Sequence, residues 1–290
     1  MKIFSSIKSG FGRSLKSWKG ILIIWFYFFI LVSVLVIPIK GGLISGFDRS
    51  MITDKLTNGF NLEVFADLGS SLKSLLSFLS VGVLLVLLIG FLLNAFLTGG
   101  LFNSLKKEPV NLSASEFFRA AAKNFWSFLI IILIITVIIN FLSGVIIGVP
   151  MTILSASETI SEKTAFSIRI AAVSIFLIPL PILLLVADYA RAWKVVNEKA
   201  SCFKALGFGF SQIFRRFWPS YTMMLILLLI QVLFGWLVFR ILSAWKPVTG
   251  GGVFLLFLFS QFLFYIRLLL KTWRYASVTI LMEEDQSDKN

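Results

Sequence analysis

Residues 124–157 read NFWSFLIIILIITVIINFLSGVIIGVPMTILSAS, thirty-four positions without one charged side chain. The run is continuous and rich in Ile and Leu, with no alternation of polar and apolar positions, so it reads as helix and not as strand. A hydrocarbon layer about 30 Å thick takes roughly 20 apolar residues of helix. Five further charge-free runs reach or approach that length: 20–39, 74–105, 170–187, 217–239 and 247–266. Trimmed of polar and Gly-rich ends, they predict six spans at about 20–39, 75–98, 125–148, 170–187, 219–239 and 248–266. The fold expected is all-α, a polytopic membrane protein with residues 1–290 as one integral membrane domain.

Composition agrees. Of 290 residues 58% are hydrophobic and 14% charged, with 31 Phe, 8 Trp and a mean hydropathy of +0.94. A soluble domain of this size carries about 25% charged residues. His is absent and Cys occurs once, at Cys202. His-ligated haem, His/Cys zinc sites, Ser-His-Asp and Cys-His dyads and intrachain disulfides are thereby excluded. No Gly-rich phosphate loop or paired acids at catalytic spacing occur either. The expectation is a non-enzymatic chain with no cofactor.

The net charge is +13. Nineteen Lys and Arg fall in the N-terminal segment, the loops after spans two and four and the C-terminal segment; eight fall in the intervening loops. The positive-inside rule then places both termini in the cytoplasm. In such a chain the excess sets topology and meets anionic headgroups, and it does not call for nucleic acid.

Amphipathic stretches precede the outgoing spans. In residues 1–19, Phe4, Ile7, Phe11, Leu15 and Trp18 recur every three or four positions, away from Lys16 and Lys19. Phe203, Leu206, Phe210, Ile213, Phe214 and Phe217 repeat the pattern beside Arg215 and Arg216, and a weaker version follows the capping-box sequence Ser113-Ala-Ser-Glu116. These predict cytoplasmic interfacial helices, apolar face down and cations toward phosphate. The threefold order suggests three two-helix repeats; the plainer reading is that any multi-span protein needs such entry segments.

Few polar groups sit at membrane depth, where an ionisable side chain is costly and points to function. Asp188 and Arg191 are three apart at the inner end of span four. One reading is a substrate or proton contact; the favoured one is an ion pair snorkelling to the interface. Asn94 completes the candidate intramembrane polar set. Asn94, Asn140, Gln231 and Gln261 are read as interhelical hydrogen-bonding groups. Arg267, Lys271 and Arg274 share a face at the end of span six and predict a headgroup stripe, with Lys16, Lys19, Arg215 and Arg216 as further headgroup contacts. Pro179-Leu-Pro181 should kink or break span four. Leu62, Phe65, Ala66, Leu68 and Leu72 suggest a further interfacial helix, and the acidic segment 283–290 reads as a disordered tail.

Asn94-Ala-Phe-Leu-Thr-Gly-Gly100, Ala187-Asp-Tyr-Ala-Arg191, Ala205-Leu-Gly-Phe-Gly-Phe210 and Arg216-Phe-Trp218 occur in an order that resembles the YciC-like bacterial inner-membrane proteins and the related membrane domain of some glycerophosphodiester phosphodiesterases. The resemblance covers most of the chain in layout and implies a six-helix bacterial cytoplasmic-membrane protein. It does not imply phosphodiesterase activity, because the soluble catalytic domain has no counterpart here. Together these readings predict a protein acting through anionic phospholipids or a partner protein. The alternative is a permease, or a transporter membrane subunit working with an ATPase partner.

Overall fold

The computed structural model describes residues 2–47, 69–106, 113–157, 160–247 and 249–287. Within them the regular structure is all helical. The helices are α1 (Lys2–Lys16), α2 (Trp18–Phe47), α3 (Gly69–Ser104), α4 (Ala114–Ser143), α5 (Val149–Ala156), α6 (Glu162–Phe176), α7 (Pro179–Val196), α8 (Cys202–Arg215), α9 (Phe217–Ala244) and α10 (Gly250–Ser287). Of the interfacial helix suggested over residues 62–72, residues 62–68 lie outside the described residues, and Leu72 belongs to α3.

Five helical stretches are long and apolar enough to cross a bilayer: Ser80–Ser104, Ala114–Ala156, Glu162–Val196, Phe217–Ala244 and Gly250–Asp285. The pair α1 and α2, bent by 65° at Ser17, brings the number to as many as six. The chain is a multi-pass, all-α membrane protein.

Local chemistry explains several helix ends. Ser113 and Ser201 cap α4 and α8, their hydroxyls accepting from the amides of Glu116 and Lys204. α6 stops at Phe176 and α7 starts at Pro179, as expected where two prolines remove backbone donors. A π-helical turn, Gly144–Gly148, joins α4 to α5 just before Pro150, so the third span continues helical past its expected end at 148. The second amphipathic stretch differs from expectation. It is no separate interfacial helix but the first turns of α4, which runs unbroken into the span.

The chain expected as one domain divides into two compact units, residues 23–94 and residues 1–22 with 95–290. In the smaller, Gly90 of α3 lies where a Cβ would stand 3.6 Å from Leu31 and 3.7 Å from Phe28 of α2. In the larger, the core is built from the basic ends of the helices. Its side chains include Ile21, Leu97, Leu101, Phe102, Phe128, Leu185, Tyr189, Ile213, Met223 and Tyr275. Farther from that end, α4, α9 and α10 expose Leu133, Val137, Leu229, Val232, Trp236, Phe254 and Phe262. With 38 residues, α10 is about 57 Å long. It therefore outruns the hydrocarbon layer, and its last five turns belong to the basic-end core.

Small residues set how closely these helices approach. Ser6, Gly10 and Ser14 follow one another every four residues along α1, all buried. A Cβ on Gly10 would lie 2.9 Å from the backbone of Ser277 on α10. α8 comes close to α7 at Gly209, where a Cβ would stand 2.6 Å from the carbonyl oxygen of Val186. Such stripes let backbones touch where lipid supplies no hydrophobic drive between helices.

Candidate functional site

The basic end holds nearly all the internal polar chemistry of the larger unit. Asp188, on the third turn of α7, is 1% exposed. Its Oδ1 takes the Nη1 of Arg191 at 3.2 Å, and its Oδ2 lies 3.0 Å from the Nε of Arg274 on α10. The pair expected to snorkel is therefore buried, and the arginine expected on a headgroup stripe covers it. The physical reason is a second partner: Arg274 closes over the pair from α10, so that two guanidiniums flank one carboxylate away from solvent. The Arg274 guanidinium also lies 5.1 Å from the ring centroid of Tyr275, which packs on Phe102.

Two further clasps run from the C-terminal end of α10. Asp285, 3% exposed, accepts from Arg216 at 2.7 Å and from Gln212 at 2.9 Å. Glu283 pairs with Arg13 at 2.9 Å, and Arg13 also donates to the carbonyl of Leu105. Ser6 donates to Glu284, and the Trp273 indole N–H donates to the carbonyl of Ile7 at 2.8 Å. The segment read as a disordered tail is thus helical through Ser287, with 288–290 outside the described residues. Glu283 and Asp285 are neutralised by arginines from α1 and the α8–α9 junction, a pairing that composition cannot register.

Around these clasps, Tyr189 and Ser220 share a buried hydrogen bond of 2.8 Å that ties α7 to α9. Glu198, in the turn after α7, bonds to Lys123 of α4. That hydrogen bond, with Lys106 and Lys194 nearby, holds its carboxyl below the usual carboxylate range. Lys194 itself is buried and donates to the Glu198 carbonyl at 2.6 Å.

The other expected headgroup residues divide. Lys16, Lys19, Arg215 and Arg267 are exposed. Lys19 lies 6.0 Å from the ring centroid of Trp18. Lys271 is half-buried beside Tyr275, and Arg216 is committed to Asp285. Asn94 is half-buried on α3 in the smaller unit. Gln231 departs from its expected role: its Nε2 is buried without a hydrogen-bond partner.

No family model, curated protein or solved structure matches the chain.

The apolar faces expected on α1 and α8 turn only in part to the bundle, which buries Ile7, Leu206 and Ile213. Phe4, Phe11, Leu15 and Trp18 are exposed, as are Phe203, Phe210, Phe214 and Trp218. Phe4 reaches 75% exposure, Phe214 79% and Trp218 74%. The small residues face the bundle, and the aromatics are left for whatever surrounds it. Ser6-x3-Gly10-x3-Ser14 and Ala205-x3-Gly209 were the signals for this division. Among the described residues no group of three or more Cys, Asp and Glu is placed to hold a metal ion.

Proposed function

We propose that the protein is a non-enzymatic integral component of a bacterial cytoplasmic membrane that acts through anionic phospholipid, with both termini cytoplasmic. One observation carries the reading. At two helix junctions, exposed aromatics stand beside exposed cations that have no acidic partner among the described residues: Trp18 with Lys16 and Lys19, and Phe214 and Trp218 with Arg215. Indole rings sit at the headgroup level, and Lys or Arg next to them meets phosphate. Each such cation contributes about 1 kcal/mol near an anionic surface, and the contribution is screened by salt. The arginines that internal acids need, Arg13, Arg191, Arg216 and Arg274, are separate from this set.

The test is thermal unfolding of the full chain in nanodiscs of rising phosphatidylglycerol content against a phosphatidylcholine background. Anionic lipid is expected to raise the midpoint, less so at high salt. The combined Lys16→Gln, Lys19→Gln and Arg215→Gln variant should lose most of that dependence. A wild-type midpoint indifferent to lipid charge would refute the reading.

A further inference from the structure

α9 and α10 run antiparallel and leave between them a groove of about 510 Å³. Its walls are apolar, with Leu228, Val232 and Gly235 from α9 and Leu263, Phe264 and Leu270 from α10. Along α9 it runs from Leu228 to Leu242, about 21 Å; along α10 from Ser260 to Leu270, about 15 Å. Half of a hydrocarbon layer of roughly 30 Å is the depth of one leaflet. The groove therefore has the length and lining of a single lipid tail.

Two polar groups interrupt that lining without being satisfied by it. Gln231 presents the buried, unbonded Nε2, and Arg267 is exposed with no ion pair among the described residues. Both need an acceptor, and hydrocarbon has none. A second copy of this chain is a poor source. From Phe217 through Met282 the sequence contains no Asp or Glu, and Asp188 already holds two arginines. A phospholipid supplies all three needs at once: a tail for the walls, an ester carbonyl for an amide N–H and a phosphate for a guanidinium. Lys271, one turn beyond Arg267 on the same face, extends the cationic end.

We infer that this groove is a binding site for one anionic phospholipid, its acyl chain between α9 and α10 and its phosphate on Arg267. The inference rests on the lipid-contact reading above and assigns it a second, structurally distinct place. Gly235 offers a direct probe, because a Cβ there would meet nothing within 4 Å. An aromatic ring at this position occupies the groove without disturbing the helix pair or any charge.

The experiment counts lipid adducts on the detergent-purified full chain by native mass spectrometry, with phosphatidylglycerol and phosphatidylcholine of equal chain length as probes. The unfolding midpoint of each variant is followed in parallel. Wild type is expected to retain one phosphatidylglycerol in preference to phosphatidylcholine. Arg267→Gln should weaken the phosphatidylglycerol adduct about fivefold, the equivalent of one cation near a headgroup, while Arg267→Lys keeps most of it. Gly235→Phe should remove the tight adduct of either lipid with the midpoint unchanged, and Gly235→Leu serves if the larger ring perturbs folding. The Lys16, Lys19 and Arg215 variant should retain the tight adduct. If Arg267→Gln and Gly235→Phe keep it while the Lys16, Lys19 and Arg215 variant loses it, the groove assignment falls and the broader lipid reading stands. If wild type prefers neither lipid, both fall. A dimer that Gly235→Phe dissociates would put a second copy in the groove and overturn the assignment.

Discussion

Asp188 is the side chain on which the basic end turns. It is the acid of a buried cluster that contains two arginines, so its removal leaves two guanidiniums in a place water does not reach. Breaking such a cluster at one partner costs roughly 3–5 kcal/mol. Asp188→Asn is therefore expected to lower the unfolding midpoint in detergent sharply. Arg274→Met should cost less, because Arg191 remains to pair the carboxylate. Equal stability of Asp188→Asn and wild type would show that the carboxylate is not the anchor. Glu198 is the contrasting case, an acid about half exposed and bonded to Lys123. Its lowered pKa means the carboxylate stabilises the fold above the ordinary value near 4.3, and that contribution is lost as pH falls through the lowered folded value. Exposure limits it to about 0.2–1 kcal/mol. The stability gap between wild type and Glu198→Gln should be small at neutral pH and vanish on acidification; a gap that widened in acid would contradict the assignment. The difference between the two acids was not written locally. Asp188 with Arg191 has the spacing of a surface pair, and only Arg274, 86 positions away, makes it a buried one.

At the scale of helices, α1 and α8 share one device: a small-residue face for the bundle and an aromatic face for the surroundings. Matched glycines test it. Gly10→Ala should be destabilising by about 1–3 kcal/mol, the usual penalty for overpacking, since its methyl would run into the backbone at Ser277. Gly12→Ala, two residues on with nothing within 4 Å, should be neutral or stabilising by up to about 1 kcal/mol. Gly209→Ala and Gly207→Ala repeat the comparison on α8. Hydrogen exchange over residues 2–16 reads the first pair directly: faster exchange in Gly12→Ala than in Gly10→Ala would reverse the assignment of faces. Most of this level was legible. The bilayer imposes a length and a polarity on every crossing, so uninterrupted apolar runs announce their helices. The stripe Ser6-x3-Gly10-x3-Ser14 was also on the page but lay beside a louder one, Phe4 to Trp18. Periodicity alone does not say which of two faces meets protein when the solvent is itself apolar.

For the molecule as a whole, the bond from Ser6 to Glu284 has a topological meaning. The two ends of the described chain lie together, as an even number of crossings would leave them. Five helical stretches are long and apolar enough to cross, and the bent pair of α1 and α2, counted as one span, makes six. Cysteines introduced at Ser5 and Ser287 should accordingly be labelled from the same side of the membrane, and one at Ser243 from the other. Labelling of Ser5 and Ser287 from opposite sides would mean an odd number of crossings. Charge asymmetry in the loops predicts the same parity, by a route that uses no contact at all.

The packing of α1 against α10 also fixes a schedule. Ile7 emerges from the ribosome before the Trp273 that bonds to it, which follows 266 residues later. At about 5–20 residues per second the interval is roughly 13–53 s. Throughout that time Ser6 and Gly10 of α1 lack their partners on α10, while Phe4, Phe11 and Trp18 can already settle on the bilayer. α1 waits, moored by its aromatics, for α10 to close the bundle.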